Sequence, residues 1–275
     1  MSDAQTTPTL EVLNPDAKRG RVRFALFDFD GTLSLVREGW QGVMIPYFVE
    51  EFLKAPQAEA PAEAESVVRD FVDRLTGKQT IFQCIALAEA IAERGGSPIE
   101  PLAYKQEYLR RLWLRIEHRV AGLKAGAIEP DSMLLRGSRP FLDALKARGI
   151  SLLVASGTDL PNVLEEAGAV RLDHYFAPHI YGAIDADVNC SKAAIIDRLL
   201  SENGLQGPEL VAFGDGFVEI EESKRVGGLA VGVASDETNP GSRDEWKRNR
   251  LAGAGADAII PDFSDLDTLM GWLFP

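Results

Sequence analysis

The residues best suited to chemistry lie in the stretch Asp28-Phe29-Asp30-Gly31-Thr32, which directly follows a hydrophobic run. Two carboxylates two residues apart at a strand end can face one site once the backbone leaves the extended conformation. Asp28 could then act as a nucleophile, which splits a difficult group transfer into two easier steps, and Asp30 could act as general acid and base. The alternative is an acidic turn between a strand and a helix, in which Gly31 permits the bend and Thr32 caps the helix.

Further polar residues follow similar hydrophobic runs later in the chain. Ser156 follows a predicted strand at 150–155, and Asp215 follows one that ends shortly before Gly214. Helical patterns alternate with these runs, which predicts an α/β fold with a doubly wound, mainly parallel sheet. Since ligands gather beyond the carboxyl ends of parallel strands, we expect Asp28, Ser156 and Asp215 to meet at one site.

The alternation of strands and helices is interrupted after the first of these runs. Residues 35–129 contain long helical patterns without a convincing strand pattern, which predicts an inserted helical domain. The core of the fold is then expected to comprise 21–34 and 130–275. Residues 1–20 are polar and turn-rich and lack an apolar segment, which predicts a flexible leader.

With these motifs in this order, the chain resembles the haloacid dehalogenase superfamily, in the branch of phosphoglycolate phosphatases and β-phosphoglucomutases. The stretch FALFDFDGTLS is similar to the first motif of that family, and the resemblance spans roughly Arg21 to the C-terminus. It implies a Rossmann-like core with a helical cap and an aspartyl phosphate formed on Asp28. True dehalogenases of the superfamily lack the second aspartate, so the presence of Asp30 favours phosphate ester chemistry.

The resemblance also assigns roles to later motifs. Ser156 would bind the transferring phosphoryl oxygens, and Gly157 would let backbone amides approach them. Lys192, at the start of a predicted helix, would neutralise the charge of the nucleophile and the phosphoryl group. Each pattern alone has a simpler interpretation, namely a helix N-cap for the Ser-Gly-Thr-Asp stretch and a solvated surface charge for the lysine.

A magnesium site is implied by the same resemblance. Mg²⁺ prefers a few carboxylate oxygens together with water and substrate phosphate, and Asp28, the backbone carbonyl of Asp30 and Asp215 are expected to supply the protein's share. Glu219 stands where the family commonly has an aspartate. Its longer side chain leaves open direct ligation, contact through water, or a simple helix charge beside Glu221.

Within the insertion, Thr76-Gly77-Lys78-Gln79-Thr80 resembles the cap loop that reads the substrate in this branch. We expect Lys78 and Gln79 to contact the substrate. The alternative is a helix C-cap at Gly77 followed by an N-cap at Thr80.

Other residues near the first motif or in the insertion are weaker candidates. Thr32 and Arg37 are expected to bind substrate, and Trp40 either lines the entrance to the site or belongs to the core. A stripe at four-residue steps, which includes Tyr104 and Tyr108, predicts helix packing rather than a binding site.

The overall charge restricts the classes of partner. With 42 acidic and 29 basic residues the formal net charge is −13, which argues against nucleic acid and anionic membranes as partners. No stretch approaches the roughly 18 consecutive apolar residues of a membrane span. Cys84 and Cys190 lack metal-ligand spacing and fit a reducing compartment, so we expect a cytoplasmic protein. The resemblance implies that it binds a small phosphorylated metabolite. The oligomeric state is not indicated.

Taken together, the patterns predict an Mg²⁺-dependent phosphatase that hydrolyses a small phosphate monoester through an aspartyl phosphate. One alternative is a phosphomutase, which would keep the same core and shield the aspartyl phosphate from water. Another is a non-catalytic binding protein that retained the fold. The presence of Asp28, Asp30, Ser156, Lys192 and Asp215 in one chain favours an enzyme.

Overall fold

The computed structural model describes residues 9–184 and 191–275. Within them, the hydrophobic runs form the strands β1 (Glu11–Val12), β2 (Phe24–Phe27), β3 (Ser151–Asp159), β4 (Ile180–Ala183), β5 (Leu210–Gly214), β6 (Leu229–Val233) and β7 (Ala258–Ile260). These strands form one sheet with the order β1-β7-β6-β5-β2-β3-β4. Neighbours from β7 through to β4 pair in parallel, and β1 pairs antiparallel with β7.

The direction in which the sheet grows reverses at β2. The chain places β3 and β4 on one side of β2 and places β5, β6 and β7 on the other, which confirms the predicted doubly wound sheet. Phe27, at the end of β2, pairs with Val154 in β3 and with Phe213 in β5. The residues that follow these three positions therefore emerge side by side, as ligand-binding residues do in open parallel sheets.

Between β2 and β3 the chain forms the helices α1 (Gln41–Phe52), α2 (Pro61–Leu75), α3 (Thr80–Glu93) and α4 (Pro101–Lys124). They bury a shared apolar core that includes Phe48, Leu87 and Leu112. Pro61 and Pro101 stand in the first turns of α2 and α4, where a backbone N–H would have no helical partner. The predicted helical insertion is thus present as a four-helix layer over one end of the sheet.

The remaining helices of the described residues flank the sheet: α5 (Ser138–Ala147), α6 (Leu160–Ala169), α7 (Asp173–Phe176), α8 (Lys192–Asn203), α9 (Val218–Arg225), α10 (Glu245–Gly253) and α11 (Leu266–Leu273). On one face, Phe27 stacks on Phe213 with ring centroids 4.8 Å apart and meets Phe141 of α5 edge-on. On the other face, Leu26 packs in a cluster with Ile195 and Ile196 of α8. Because both faces are covered, the strands read as continuous hydrophobic runs.

The N-terminal segment differs from the expectation of a flexible leader at 1–20. Glu11 and Val12 pair with Ile259 and Ala258 at the edge of the sheet, and Arg243 and Arg248 donate hydrogen bonds to the Glu11 carboxylate. Residues 9–20 are therefore docked on the core, because the edge of β7 offers unpaired backbone groups. Residues 1–8 lie outside the described residues, as does Cys190.

Two further features of the sheet were not predicted. The strand β3 continues past the predicted end at Ala155 as far as Asp159, and β4 pairs beside it with a shift in register. This extension keeps Ser156 within the strand, in the irregular stretch between the paired residues Ala155 and Asp159. Among the described residues, no helix combines the length and apolar character needed to cross a membrane.

Candidate active site

The centre of the site is Asp28, the first residue after β2. Its backbone N–H donates to the carbonyl of Phe213 in β5 at 2.9 Å, which extends the sheet by one more hydrogen bond. Its carboxylate Oδ1 accepts a hydrogen bond from Lys192 Nζ at 2.8 Å. Only 6% of Asp28 is exposed, so the carboxylate is held in one place and largely removed from water.

Lys192 begins helix α8, where the Ser191 side chain caps the helix by accepting from Ala194 N at 3.2 Å. Besides Asp28, the lysine Nζ donates to Glu219 Oε2 at 2.6 Å. Burial alone would lower the pKa of Lys192, but the two carboxylates more than offset it and raise the pKa, so the ammonium stays charged. A buried cation thus stands beside the candidate nucleophile, and the expected role of Lys192 in neutralising charge on a phosphoryl group stays a prediction.

Glu219 is fully buried at the start of helix α9. Its Oε2 accepts from Lys192, and its Oε1 accepts from the backbone N–H of Gly216 at 2.9 Å. Both carboxylate oxygens therefore already have protein donors. This geometry gives Glu219 a part in holding Lys192 and the loop after β5, and metal ligation by Glu219 stays a prediction.

Asp215 follows β5 and faces Asp28. Carboxylate oxygens of Asp28, Asp215 and Glu219 all lie within 4.8 Å of one another. Burial raises the pKa of Asp28 well above its ordinary value against the opposing effect of Lys192, and the nearby charges of Glu219 and Asp215 add to the rise. A cluster of carboxylates that repel one another in this way would gain from a divalent cation, so the donor set fits Mg²⁺.

Asp215 is itself held by residues that sequence reasoning missed. Lys247 of α10 places its Nζ 2.9 Å from Asp215 Oδ2 and donates to Glu237 Oε1 at 2.9 Å. On the other side, Thr32 Oγ1 accepts from the backbone N–H of Asp215 at 3.0 Å. Thr32 is fully buried, so the structure places it beneath Asp215, whereas the sequence suggested contact with a substrate.

Asp30 lies in the same loop as Asp28. Its Oδ2 accepts from Thr158 Oγ1 at 2.8 Å and from Ser156 Oγ at 3.3 Å. Its Oδ1 is buried and makes no hydrogen bond among the described residues, and Arg37 Nε lies 3.8 Å away. One oxygen of Asp30 is therefore held in place while the other is left without a partner, as suits a group that exchanges a proton with a substrate. Sequence reasoning did not single out Thr158.

Arg37 is anchored to the core by Glu166 of α6. Its Nε lies 3.0 Å from both carboxylate oxygens, and its Nη2 donates to Glu166 Oε1 at 2.7 Å. Both side chains are buried, and burial raises the pKa of Glu166 against the opposing effect of Arg37. The predicted substrate residue Arg37 does line the site, with its Nε and Nη2 turned to Glu166.

The cap loop between α2 and α3 closes over these residues. A Cβ atom on Gly157 would lie 2.7 Å from the carbonyl oxygen of Lys78, and one on Gly77 would lie 3.1 Å from the Cα of Gly216. Arg250 of α10 also donates to the loop, at 3.0 Å to the carbonyl of Thr76. The cap loop and the core are therefore in contact through backbone atoms, without intervening side chains, at the entrance to the site.

A cavity lies between this loop and the ends of the strands. About 90 Å³ of it can be occupied by the centres of water molecules. Its lining joins residues of the core to residues of the helical layer: Asp28, Asp30, Arg37, Trp40, Met44, Thr76, Gly77, Lys78, Thr80, Gln83, Tyr108, Ser156, Gly157, Thr158 and Asp215. Gln79 instead lines an adjacent groove with Phe82 and Lys192. Tyr108, assigned to helix packing by its spacing, is one of the lining residues.

Comparison with known proteins agrees with this geometry. A family model described as haloacid dehalogenase-like hydrolase matches residues 22–227. The chain belongs to this family. A search of curated proteins found no match.

Solved structures share the fold of this haloacid dehalogenase-like hydrolase at low sequence identity. A predicted phosphoglycolate phosphatase from Haemophilus somnus 129PT is 18% identical, with a TM-score of 0.58 over 91% of this chain and 98% of that chain. A β-phosphoglucomutase from Clostridium difficile is 13% identical, with a TM-score of 0.61 over 92% of this chain and 97% of that chain. A haloacid dehalogenase-like protein of unknown function from Agrobacterium tumefaciens is 18% identical, with a TM-score of 0.59 over 92% of this chain and 100% of that chain.

The family, the enzyme class and the fold predicted from the sequence are thereby confirmed. Of the predicted site residues in this haloacid dehalogenase-like hydrolase, the cavity brings together Asp28, Asp30, Arg37, Lys78, Ser156, Gly157 and Asp215. Lys192 and Glu219 stand directly behind Asp28. Glu166, Lys247 and Tyr108 were missed because nothing in their local sequence distinguishes them from ordinary helix residues.

Proposed function

We propose that this protein is an Mg²⁺-dependent phosphatase that hydrolyses a small phosphate monoester through an aspartyl phosphate on Asp28. The observation that carries the proposal is the pair of carboxylates lining one cavity. Asp28 is fixed by Lys192, and Asp30 presents an oxygen without a hydrogen-bond partner among the described residues. A fixed nucleophile beside a proton-exchanging group is the arrangement that stepwise phosphoryl transfer requires.

In the first step, a carboxylate oxygen of Asp28 forms a bond to phosphorus while the bond from phosphorus to the ester oxygen breaks. Asp30 gives its proton to the departing oxygen, so the leaving group departs as a neutral alcohol. In the second step, Asp30 takes a proton from water, whose oxygen bonds to phosphorus as the bond to Asp28 breaks. The products are inorganic phosphate and the original Asp28 carboxylate.

The surrounding residues position charge for these steps. The Lys192 ammonium stays close to Asp28 and would balance charge on the phosphoryl oxygens, and Ser156 lies beside Asp30 at the same strand ends. Asp28, Asp215 and the backbone carbonyl of Asp30 would hold Mg²⁺. When bound, the ion would neutralise negative charge on the phosphoryl group and orient it.

The size of the cavity supports a small substrate. About 90 Å³ of it can be occupied by the centres of water molecules, below the roughly 300–1,000 Å³ of common small-molecule sites. The formal net charge of −13 supports the proposal that neither nucleic acid nor an anionic membrane is a partner. A cytoplasmic location belongs to the same proposal, because phosphorylated metabolites are found there.

The first test is replacement of the nucleophile. We expect Asp28→Asn to lower phosphate release from any ester that the protein hydrolyses by on the order of 10³-fold or more, because the amide cannot form the acyl phosphate. Inorganic phosphate is measured with phosphorylated sugars, short phosphorylated acids and nucleotides in Mg²⁺ and, separately, in EDTA. Asp70→Asn, which changes an exposed carboxylate on α2, serves as the matched control.

The outcomes separate the competing functions. Release by Asp28→Asn at the rate of the unchanged protein would overturn the assignment of the nucleophile, and release that is unchanged in EDTA would overturn the metal requirement. Transfer of the phosphoryl group to a second sugar position, without inorganic phosphate, would identify a phosphomutase. No turnover across the whole panel would favour a binding protein.

A further inference from the structure

The cap side of the cavity includes a buried tyrosine whose hydroxyl has no partner among the described residues. Tyr108 of α4 is 3% exposed and lines the cavity, and within that part of the chain its hydroxyl makes no hydrogen bond. Tyr104, one turn earlier on the same helix, is equally buried, but its hydroxyl accepts from the backbone N–H of Ile99 at 3.2 Å. Because Tyr108 borders the cavity and its hydroxyl has no protein partner in the described part of the chain, that hydroxyl can pair with a ligand.

The chemical state of this hydroxyl is set by its surroundings. Burial raises the pKa of Tyr108, and the negative charges of Asp30 and Glu166 act in the same direction, against Arg37. The phenol therefore remains protonated at neutral pH and can donate as well as accept a hydrogen bond. A neutral hydroxyl of this kind is suited to recognise another hydroxyl.

The two cations of the cavity lining, Arg37 and Lys78, are placed differently. Arg37 turns Nε and Nη2 to Glu166, with contacts of 3.0 and 2.7 Å. Lys78 is exposed, and its Nζ lies 6.0 Å from the ring centroid of Phe217, in the loop that also carries Asp215.

Arg37 is the cation beside Tyr108, and it stands between the carboxylates of Glu166 and Asp30. Asp30 Oδ1 is buried without a hydrogen-bond partner among the described residues, and the Glu166 carboxylate stands behind Arg37. A carboxylate or a second phosphate on the leaving group would enter beside two carboxylates that share one cation, which is costly in a site shielded from water. Trp40 and Met44 complete the wall with largely apolar surface.

We infer that the leaving group of the substrate is an uncharged, hydroxylated alcohol and that Tyr108 is the residue that recognises it. This inference rests on the proposed phosphatase function and specifies its substrate class. A hydroxyl of the alcohol exchanges a hydrogen bond with the phenol, its carbon chain packs on Trp40 and Met44, and Gln83 lies within reach of the same wall. Esters whose leaving group carries a second anionic group are hydrolysed with a lower kcat/KM.

Matched pairs of esters test the charge of the leaving group. Glycerol 3-phosphate and 3-phosphoglycerate differ by CH₂OH against a carboxylate, and ethylene glycol monophosphate and phosphoglycolate differ in the same way. With the full chain in Mg²⁺, we expect kcat/KM to be at least about tenfold higher for the uncharged member of each pair, which corresponds to roughly 1.4 kcal/mol. A smaller ratio, or a preference for the acid, overturns the inference.

The role of Tyr108 is tested by Tyr108→Phe, which removes only the hydroxyl. We expect kcat/KM for glycerol 3-phosphate to fall roughly threefold to tenfold, the range of one hydrogen bond, while kcat/KM for ethyl phosphate, which has no hydroxyl on its leaving group, stays within about twofold. Tyr104→Phe is the control and should change neither value. An equal loss with both esters, or no loss with glycerol 3-phosphate, overturns the assignment of Tyr108.

Failure of the inference is distinguishable from failure of the proposed function. p-Nitrophenyl phosphate, an activated ester without a hydroxyl, is included as a general substrate. If it and the other esters release phosphate but the acids are preferred, only the substrate class is wrong. If none of the esters, p-nitrophenyl phosphate included, releases phosphate in Mg²⁺, both the phosphatase function and the inference fail.

Discussion

The two walls of the cavity are built in different ways. The core wall concentrates charge, since Asp28, Asp30 and Asp215 stand at adjacent strand ends and each has a polar side chain holding it. The cap wall is mostly neutral and offers the hydroxyl of Tyr108 beside the apolar surface of Trp40. Under the proposed function, the core wall would carry out the reaction and the cap wall would select the alcohol that leaves.

Arg37 joins the two walls, and its loss should have the largest effect on stability. Arg37→Met leaves the Glu166 carboxylate buried without its cation, so we expect the free energy of unfolding to fall by roughly 3–5 kcal/mol. Chemical denaturation of the variant measures this change.

The control for Arg37 is a surface pair of the same chemistry. Arg69 lies 2.7 Å from Glu65 on the exposed face of α2, so Arg69→Met should cost no more than about 0.5 kcal/mol. The double variant Arg37→Met with Glu166→Leu removes both buried charges and should recover much of the loss. If Arg37→Met and Arg69→Met lowered the free energy of unfolding equally, the buried pair of Arg37 and Glu166 would not hold the two walls together.

The core wall is tested at Thr158, whose hydroxyl holds one oxygen of Asp30. Thr158→Val keeps the shape of the side chain and removes the hydrogen bond of 2.8 Å, so we expect kcat to fall by about tenfold with little change in KM. Steady-state kinetics with the best ester of the panel measures both constants.

Thr158→Ser restores the hydroxyl and should recover most of the activity. If serine and valine behave alike, the loss comes from packing, and the proposed positioning of Asp30 by Thr158 is wrong.

Charges far from the cavity should have the smallest effect on the free energy of unfolding. Glu11, at the edge of the sheet, carries one of these charges. A hydrogen bond from Arg248 is the largest cause that lowers the pKa of Glu11. A depressed pKa in the folded state stabilises the protein above the unfolded value of about 4.3, and this stabilisation is lost as pH falls through the folded value. We expect Glu11→Gln to cost about 0.5–1 kcal/mol at pH 7 and progressively less below about pH 5.

Urea denaturation at several pH values measures the difference between Glu11→Gln and the unchanged protein. Glu63→Gln, at an exposed position in the first turn of α2, is the control and should show a smaller effect at pH 7. A difference for Glu11 that does not depend on pH would contradict an ionic origin.

The sequence could predict the parts of the site that follow from local residue patterns. Asp28 and Asp215 each follow a hydrophobic run directly, and the parallel sheet then places them together without further information. The helical insertion was equally visible, because its apolar residues recur with the period of a helix and its proline residues mark helix starts.

The parts that could not be predicted depend on contacts between distant segments. Glu166 faces Arg37 from 129 positions away, and nothing near Glu166 separates it from a surface glutamate. The periodicity that identified the buried face of α4 could not show that Tyr108 on that face meets a cavity rather than another side chain. The two-residue strand β1 is too short to have a period, so its pairing with β7 is decided by the unpaired edge of the sheet.

The glycines at the mouth of the site have a consequence for redesign. A Cβ atom on Gly157 or Gly216 of the core would lie 2.7 Å from the Lys78 carbonyl oxygen or 2.9 Å from the Gly77 Cα of the cap loop, too close to fit. Cap and core are therefore matched parts: a cap transplanted from another protein would close on this core only if its loop also approached Gly157 and Gly216 with a bare main chain. To change the substrate preference by grafting a cap, one would therefore have to transfer the loop that contacts Gly157 and Gly216 as well as the side chains that recognise the substrate.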